Sequence, residues 1–336
     1  MSYLVLASTA LAALGLTALT RRLALNSSLL DVPNDRSSHT TPTPRGGGVG
    51  FVGAFYLAVL VDSYLLGGQL AGANGVAIVL LTLPLAVVGF LDDRGHVSAG
   101  VRYLIQLGVA LGTIWHLGPA HVPWPEAFAP VQTYLSVGLA AFFLTALINF
   151  YNFMDGLDGI LAGCVAVQLV AFAFLLKQPL WLLLAGAVLG FLPLNWHKAR
   201  IFMGDVGSTL LGASVGIALA TSQASVTALA PALALTLPIT LDSGYTIFRR
   251  LLLRENIFKA HKKHIYQRLN QSGWSHGKVA GTYVGLNLVL VALASLLPAL
   301  PATLGALGLC LACLVTAEVY LGKRGRSVSV DPPSGG

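Results

Sequence analysis

Long apolar blocks separated by short polar stretches set the pattern of this chain. A helix needs about 20 mostly apolar residues to cross a bilayer. About eleven windows offer that: 2–20, 47–66, 74–91, 101–117, 133–151, 159–176, 179–195, 207–223, 226–247, 280–298 and 302–321. The alternating ten-residue strands of a membrane barrel are absent, and an open sheet cannot sit in lipid with unpaired backbone groups. The pattern predicts an all-α, polytopic helical membrane protein with about 11 transmembrane helices. No internal repeat stands out.

Composition agrees. The 336 residues are 55% hydrophobic and only 10% charged, where a soluble domain carries roughly 25%. The net charge of +7 would suggest nucleic acid in a soluble protein; here it reads as the positive-inside bias, with no nucleic acid. The first block is followed, not preceded, by Arg21 and Arg22, the reverse of a cleaved signal peptide. It is therefore expected to be a retained span with the N-terminus outside. Eleven crossings then leave the C-terminus cytoplasmic, and of the 20 lysines and arginines only Lys177 falls outside. Residues 1–322 read as a single integral-membrane domain and 323–336 as a short, polar, disordered cytoplasmic tail. Cys164, Cys310 and Cys313 lie in apolar windows and read as packing residues.

The residues that carry chemistry lie in the polar stretches assigned to the inner side. Asn152-Phe153-Met154-Asp155-Gly156-Leu157-Asp158-Gly159 holds two carboxylates three residues apart. Such a pair at a membrane boundary is a functional-site hypothesis by default, and in a helix the two would share a face. The first inner loop contains Arg36-Ser37-Ser38-His39 and Pro42-Thr43-Pro44-Arg45-Gly46-Gly47-Gly48. It reads either as a solvated connector or as a phosphate loop built from glycine N–H groups with Arg36 and Arg45. The stretch after the third block ends Asp92-Asp93-Arg94, two adjacent carboxylates that repel unless a cation or base lies between them; a simple helix-end charge cluster is the alternative. Arg102 and Gln106 stand one helical turn apart near the inner end of the fourth block.

Gly204-Asp205-Val206-Gly207 precedes the eighth block, where a helix N-terminus would favour an anion. Asp242 either pairs with Arg249 and Arg250 or lines the site. The loop 249–279 is the most basic. It includes Lys262 and Arg268, with His261 and His264 at positions i and i+3. Zinc at those histidines lacks further ligands at zinc spacing. The cations serve orientation, anionic lipid headgroups or a polyanionic substrate. On the outer side, 118–132 is proline-rich with Trp124 and reads as an interfacial loop.

This topology brings Asp92, Asp93, Asp155, Asp158 and Asp205 to one side. Oxygen ligands without thiolate suit Mg²⁺ or Mn²⁺, and with surrounding bases they describe phosphoryl transfer. The membrane setting implies that one substrate is a lipid. In order along the chain, Pro42-Thr43-Pro44-Arg45-Gly46-Gly47-Gly48, Asp92-Asp93, Asn152 to Gly159, Phe202-Met203-Gly204-Asp205-Val206-Gly207-Ser208 and the His261-to-His264 segment resemble the polyprenyl-phosphate N-acetylhexosamine-1-phosphate transferases. The likeness extends over roughly 1–322.

The resemblance implies a Mg²⁺-dependent enzyme of the bacterial plasma membrane, with about ten or eleven helices and a cytoplasmic active site. It would transfer N-acetylhexosamine-1-phosphate from a UDP-N-acetylhexosamine to undecaprenyl phosphate, releasing UMP. It implies that Asp205, with Asp92 and Asp93, holds the metal, the pair also lying near the lipid phosphate. Asn152, Asp155 and Asp158 would line the nucleotide pocket and metal, and His261 and His264 the sugar-nucleotide phosphates. Arg45, Gly204, Lys262 and Arg268 join as substrate-binding candidates. A homodimer is a further expectation from the family. The Arg36-Ser37-Ser38-His39 and His261-to-Arg268 segments look closer to the branch that starts O-antigen or other surface glycans than to the peptidoglycan enzyme, phospho-N-acetylmuramoyl-pentapeptide transferase. The donor remains open among GlcNAc, QuiNAc and FucNAc. A transporter of an anionic solute is the rival from another class; it predicts charges deep in the spans, whereas only Asp62 and Glu318 fall near span ends outside the inner loops.

Overall fold

The structure, a computed structural model, describes residues 2–27, 29–33, 41–95, 97–120, 125–257, 259 and 261–328. Arg36 to His39, Trp124 and residues 329–336 of the tail lie outside the described residues. The chain is a helical bundle: α1 Ser2–Asn26, α2 Gly48–Leu65, α3 Gly75–Arg94, α4 Ala99–Leu117, α5 Gln132–Phe153, α6 Ile160–Leu175, α7 Leu180–Asn195, α8 Gly204–Ala220, α9 Val226–Ala234, α10 Leu237–Leu252, α11 Ile265–Gln271, α12 His276–Leu296 and α13 Ala299–Val328. Two short strands, β1 Leu30–Asp31 and β2 Thr43–Pro44, pair antiparallel.

Among the described residues, six helices are long and apolar enough to cross a membrane: α1, α2, α3, α5, α12 and α13. The bent pair α9–α10 makes a seventh if taken as one span. Each apolar window has its helix or helix pair, but α6, α7 and α8 are only 16 to 17 residues long, about 24–26 Å at 1.5 Å per residue. They can be short because they lie inside. Every residue of α8 is buried, and this helix packs on α3 and α5. Glycines permit the approach: a side chain at Gly212 would press on the Ile148 backbone of α5. Small residues take this role in membrane bundles, where lipid provides no hydrophobic drive between helices.

The window 226–247, expected as one span, breaks between α9 and α10 with a 62° bend. Pro231 and Pro238 flank the break, and each removes a backbone donor. The Leu235 carbonyl beside the break accepts from Gln168 Nε2 at 3.0 Å. Gln168 is held in turn by Asn287 Oδ1 at 3.0 Å and by the Tyr151 hydroxyl at 2.8 Å. All three side chains are buried, so the polar groups in this apolar interior satisfy one another. The last helix continues to Val328, so residues 323–328, expected as disordered tail, are helical. The three cysteines are free.

Candidate active site

One end of the bundle gathers carboxylates from separate elements. Helix α3 runs through Arg94, so Asp92 and Asp93 occupy its last turn rather than a loop. Asp205 lies in the first turn of α8. Gly89 brings the two helices together: a side chain there would strike the Val206 backbone. The anion expected at the α8 N-terminus is the protein's own Asp93, whose Oδ1 accepts the Asp205 N–H at 3.0 Å.

Two guanidiniums face these acids. Arg45 Nε is 2.9 Å from Asp93 Oδ1, and its Nη2 is 3.3 Å from Asp205 Oδ1. Arg102 Nη1 is 2.7 Å from Asp92 Oδ2 and 3.0 Å from Asp205 Oδ2. Arg45 is delivered by the glycine loop, but not as a phosphate cradle. The Gly47 and Gly48 N–H groups donate to the Phe202 and Met203 carbonyls, both at 2.8 Å. The loop is thereby stitched to the α7–α8 connection, and those donors are already used. Asp93 Oδ2 is buried with no hydrogen-bond partner. Gly204, with φ of 74°, leaves room there, since a Cβ would collide with that oxygen. An orphaned carboxylate oxygen among oxygen donors fits a hard divalent cation such as Mg²⁺ or Mn²⁺.

Residues 154–159 form turns rather than helix, so Asp155 and Asp158 do not share a helix face. Asp155 is half-buried within electrostatic reach of the acid group. Burial first, and then the charges of Asp205 and Asp93 against Arg45, push its carboxyl well above the usual range. Asp158 is directed elsewhere. Its Oδ1 is 3.2 Å from His276 Nδ1, its Oδ2 is 3.5 Å from His197 Nδ1, and Oδ2 accepts the Ala199 N–H at 3.1 Å. Burial opposes its charge, yet the hydrogen bonds and His276 hold its carboxyl below the usual range. Asn152 sits in the last turn of α5, half-buried, its carbonyl accepting the Asp155 N–H at 3.2 Å.

The histidine segment is docked on this turn. The buried Tyr266 hydroxyl donates to the Phe153 carbonyl at 2.8 Å, and Gly156 is open to it because a Cβ would strike that hydroxyl. His261 and His264 rings lie 5.0 Å apart, and the Phe153 ring 6.0 Å from His264. Asp242 does not pair with Arg249 or Arg250; its Oδ1 stands 3.4 Å from His264 Nδ1. Its carboxylate accepts the Ile265 and Tyr266 N–H groups at 2.8 and 3.0 Å and the Tyr283 hydroxyl at 2.6 Å, which anchors α11. Arg250 instead clamps the loop through Glu255 at 3.0 Å and the Asn256 carbonyl at 2.6 Å.

The structure thus brings Arg45, Asp92, Asp93, Asp155, Gly204 and Asp205 together, with Asp158, Asn152, His261 and His264 on the adjoining turn and segment. Arg268 departs from its expected place. Its guanidinium is forked on Glu318 of α13, a brace between helices. Lys262 is half-buried and its carbonyl accepts from Gln271 at 3.2 Å. Sequence reasoning gave no role to Arg102, His197 or His276. The serine before an apolar run marks the start of α12, where Ser275 Oγ accepts the Lys278 N–H at 3.2 Å and so places His276; nothing local marks the other two.

The profile of glycosyl transferase family 4 matches residues 76–223, which include all five aspartates. A probable undecaprenyl-phosphate N-acetylglucosaminyl 1-phosphate transferase of Bacillus subtilis is 34% identical over 78% of this chain and 75% of its own. A phospho-N-acetylmuramoyl-pentapeptide-transferase of Synechococcus is 34% identical over 75% and 78%. A decaprenyl-phosphate N-acetylglucosaminephosphotransferase of Mycobacterium tuberculosis is 31% identical over 77% and 73%.

Proposed function

The chain belongs to glycosyl transferase family 4, and on that premise we propose that it transfers N-acetylhexosamine-1-phosphate from a UDP-sugar to undecaprenyl phosphate. A phosphate oxygen of the lipid attacks the β-phosphorus of the donor, the bond from that phosphorus to the bridging oxygen breaks, and UMP leaves. The observation that carries the reading is the meeting of Asp92, Asp93 and Asp205 with Arg45 and Arg102 at one end of an apolar bundle. The product, a lipid-linked sugar pyrophosphate, would start a surface glycan such as O-antigen.

Asp205, Asp92 and Asp93 would hold Mg²⁺ or Mn²⁺, which neutralises charge on the transferring phosphoryl group when bound. Arg45 and Arg102 supply fixed positive charge for the phosphates. Asn152, Asp155 and the turn that carries Asp158 line the nucleotide pocket, and His261 and His264 contact the donor phosphates from the segment docked on Phe153. A phosphate monoester is mostly dianionic at pH 7, with a second pKa of about 6, so the acceptor needs no strong base and positioning dominates. In this reading the chain crosses a bacterial plasma membrane eleven times, with the N-terminus outside and the site on the cytoplasmic face, which the gathering of lysines and arginines in the inner loops supports.

The pentapeptide transferase among the relatives favours a second reading, in which the sugar is N-acetylmuramoyl-pentapeptide. One assay tests both: UMP release by the full chain in detergent with undecaprenyl phosphate and Mg²⁺, across a panel of UDP-sugars, with and without EDTA. Lipid-dependent, EDTA-sensitive release from one N-acetylhexosamine is the expected result. Release only from the muramoyl-pentapeptide donor selects the second reading, and no release from any donor by folded protein removes both.

A further inference from the structure

Asp158, His197 and His276 come from three segments: the turn before α6, the α7–α8 connection and the start of α12. Their ligand atoms all lie within 4.8 Å of one another. Asp158 Oδ1 stands 3.2 Å from His276 Nδ1, and Oδ2 stands 3.5 Å from His197 Nδ1. Two ligands on a tetrahedral zinc ion, with bonds of about 2.0–2.1 Å, are separated by about 3.3 Å. The carboxylate is also oriented from behind, through the Ala199 N–H at 3.1 Å on Oδ2, as metal-binding carboxylates commonly are. His197 is exposed beside a cavity lined by Trp196, Lys198 and Arg200, which gives an ion a way in and leaves a coordination position open to solvent.

We propose that Asp158, His197 and His276 form a binding site for a borderline transition-metal ion of the zinc class, separate from the oxygen-only cation site at Asp92, Asp93 and Asp205. Two imidazoles and one carboxylate select zinc, cobalt or nickel over magnesium, whereas carboxylates alone favour the harder ion. Occupancy ties three segments of the chain together and stabilises the fold by mass action.

The test uses the full chain in detergent with Mg²⁺ saturating throughout, titrated with Zn²⁺, and in parallel with Co²⁺ as a spectroscopic probe. Expected are one Zn²⁺ retained per chain after desalting, a raised Tm, and the intense visible absorption of four- or five-coordinate cobalt. His197→Gln, a change at an exposed side chain, and His276→Gln each weaken binding by roughly 10–100-fold or more. Asp205→Asn and His261→Gln leave it unchanged. No Zn²⁺ retained by the unaltered chain overturns the proposal. So does undiminished binding in both histidine variants, or loss in Asp205→Asn or His261→Gln. None of these readouts depends on transferase activity, so a failed UMP assay and a failed metal assay remain separate results.

Discussion

Arg102 Nη1 lies 3.0 Å from Asp205 Oδ2, a contact between the first turns of α4 and α8 that also takes in Asp92 at 2.7 Å. With Arg45, two guanidiniums face three carboxylates, a formal deficit of one positive charge at the end of an apolar bundle. A divalent cation reverses that balance and makes the group attractive to phosphates. Asp205→Asn removes the carboxylate that both arginines share, while Arg45 keeps Asp93 and Arg102 keeps Asp92. Transfer should fall by at least about 10²–10³-fold, the scale seen when one preorganised electrostatic partner is removed. Thermal unfolding should change little. Normal UMP release from this variant would take Asp205 out of the reaction.

Gly204 is under two independent constraints. Its φ of 74° lies in the left-handed region, which costs an L-residue about 1–2 kcal/mol, and a Cβ would run into Asp93 Oδ2. Gly204→Ala should therefore lower Tm and, by displacing Asp93, lower activity further than the stability loss alone accounts for. Activity per folded molecule, measured below the unfolding range, separates the two effects. A variant with full specific activity would show that Asp93 has no fixed place in the reaction.

Asp242 is buried and bonds two backbone N–H groups and the Tyr283 hydroxyl. Asp242→Ala takes the acceptor from these three buried donors and from the Thr246 hydroxyl at 3.4 Å and should destabilise by on the order of 3 kcal/mol; Asp242→Asn, which keeps one acceptor oxygen, should cost less. Because the α11 N-terminus is what it holds, hydrogen exchange at the Ile265 and Tyr266 amides should quicken in both variants. Unchanged protection at those two amides would refute the anchoring role.

The apolar windows translate into helices because lipid and a buried backbone leave the chain few other choices, and the proline pair around Leu235 was a legible sign of the break there. The acid cluster was legible as a set of residues brought to one side. Its partnerships were not. Arg102 meets Asp205 across 103 residues, and Asp158 meets His276 across 118; neither has a local signature. Where the helices end also decides chemistry. Helix α3 runs past Asp93, so the pair projects from a rigid turn, whereas α5 stops at Phe153 and lets Asp155 and Asp158 diverge. Arg268 looked like a substrate contact because it is a cation near the histidines, and only packing reveals Glu318 beside it.

His261 gives the histidine segment a dependence on pH. Burial first, then the charges of His264, Arg250 and Lys263, push its imidazole down from 6.5 to about 4. Between those values the unfolded chain binds a proton that the folded chain does not, so stability falls as pH drops from about 6.5 towards 4. His261→Gln removes that contribution, and its Tm should decline less steeply over this window than that of the unaltered chain. Parallel curves for the two proteins would place the imidazole in a less perturbed setting than its burial indicates.

Orientation can be read from one lysine. Helix α6 starts at the Asp158 turn and ends at Leu175, and α7 returns from Leu180 to Asn195 beside the same turn. Lys177, in the connection between them, lies at the end of the bundle away from the acids, about 24 Å along α7. With the site on the cytoplasmic face, an impermeant amine reagent should modify Lys177 in right-side-out vesicles and spare it in inverted ones. The inverted vesicles should be the ones that accept added UDP-sugar and release UMP. Labelling of Lys177 on the side that accepts the donor would mean that the two helices do not cross. Labelling on the other side, with the donor accepted only by right-side-out vesicles, would invert the topology while leaving the site intact.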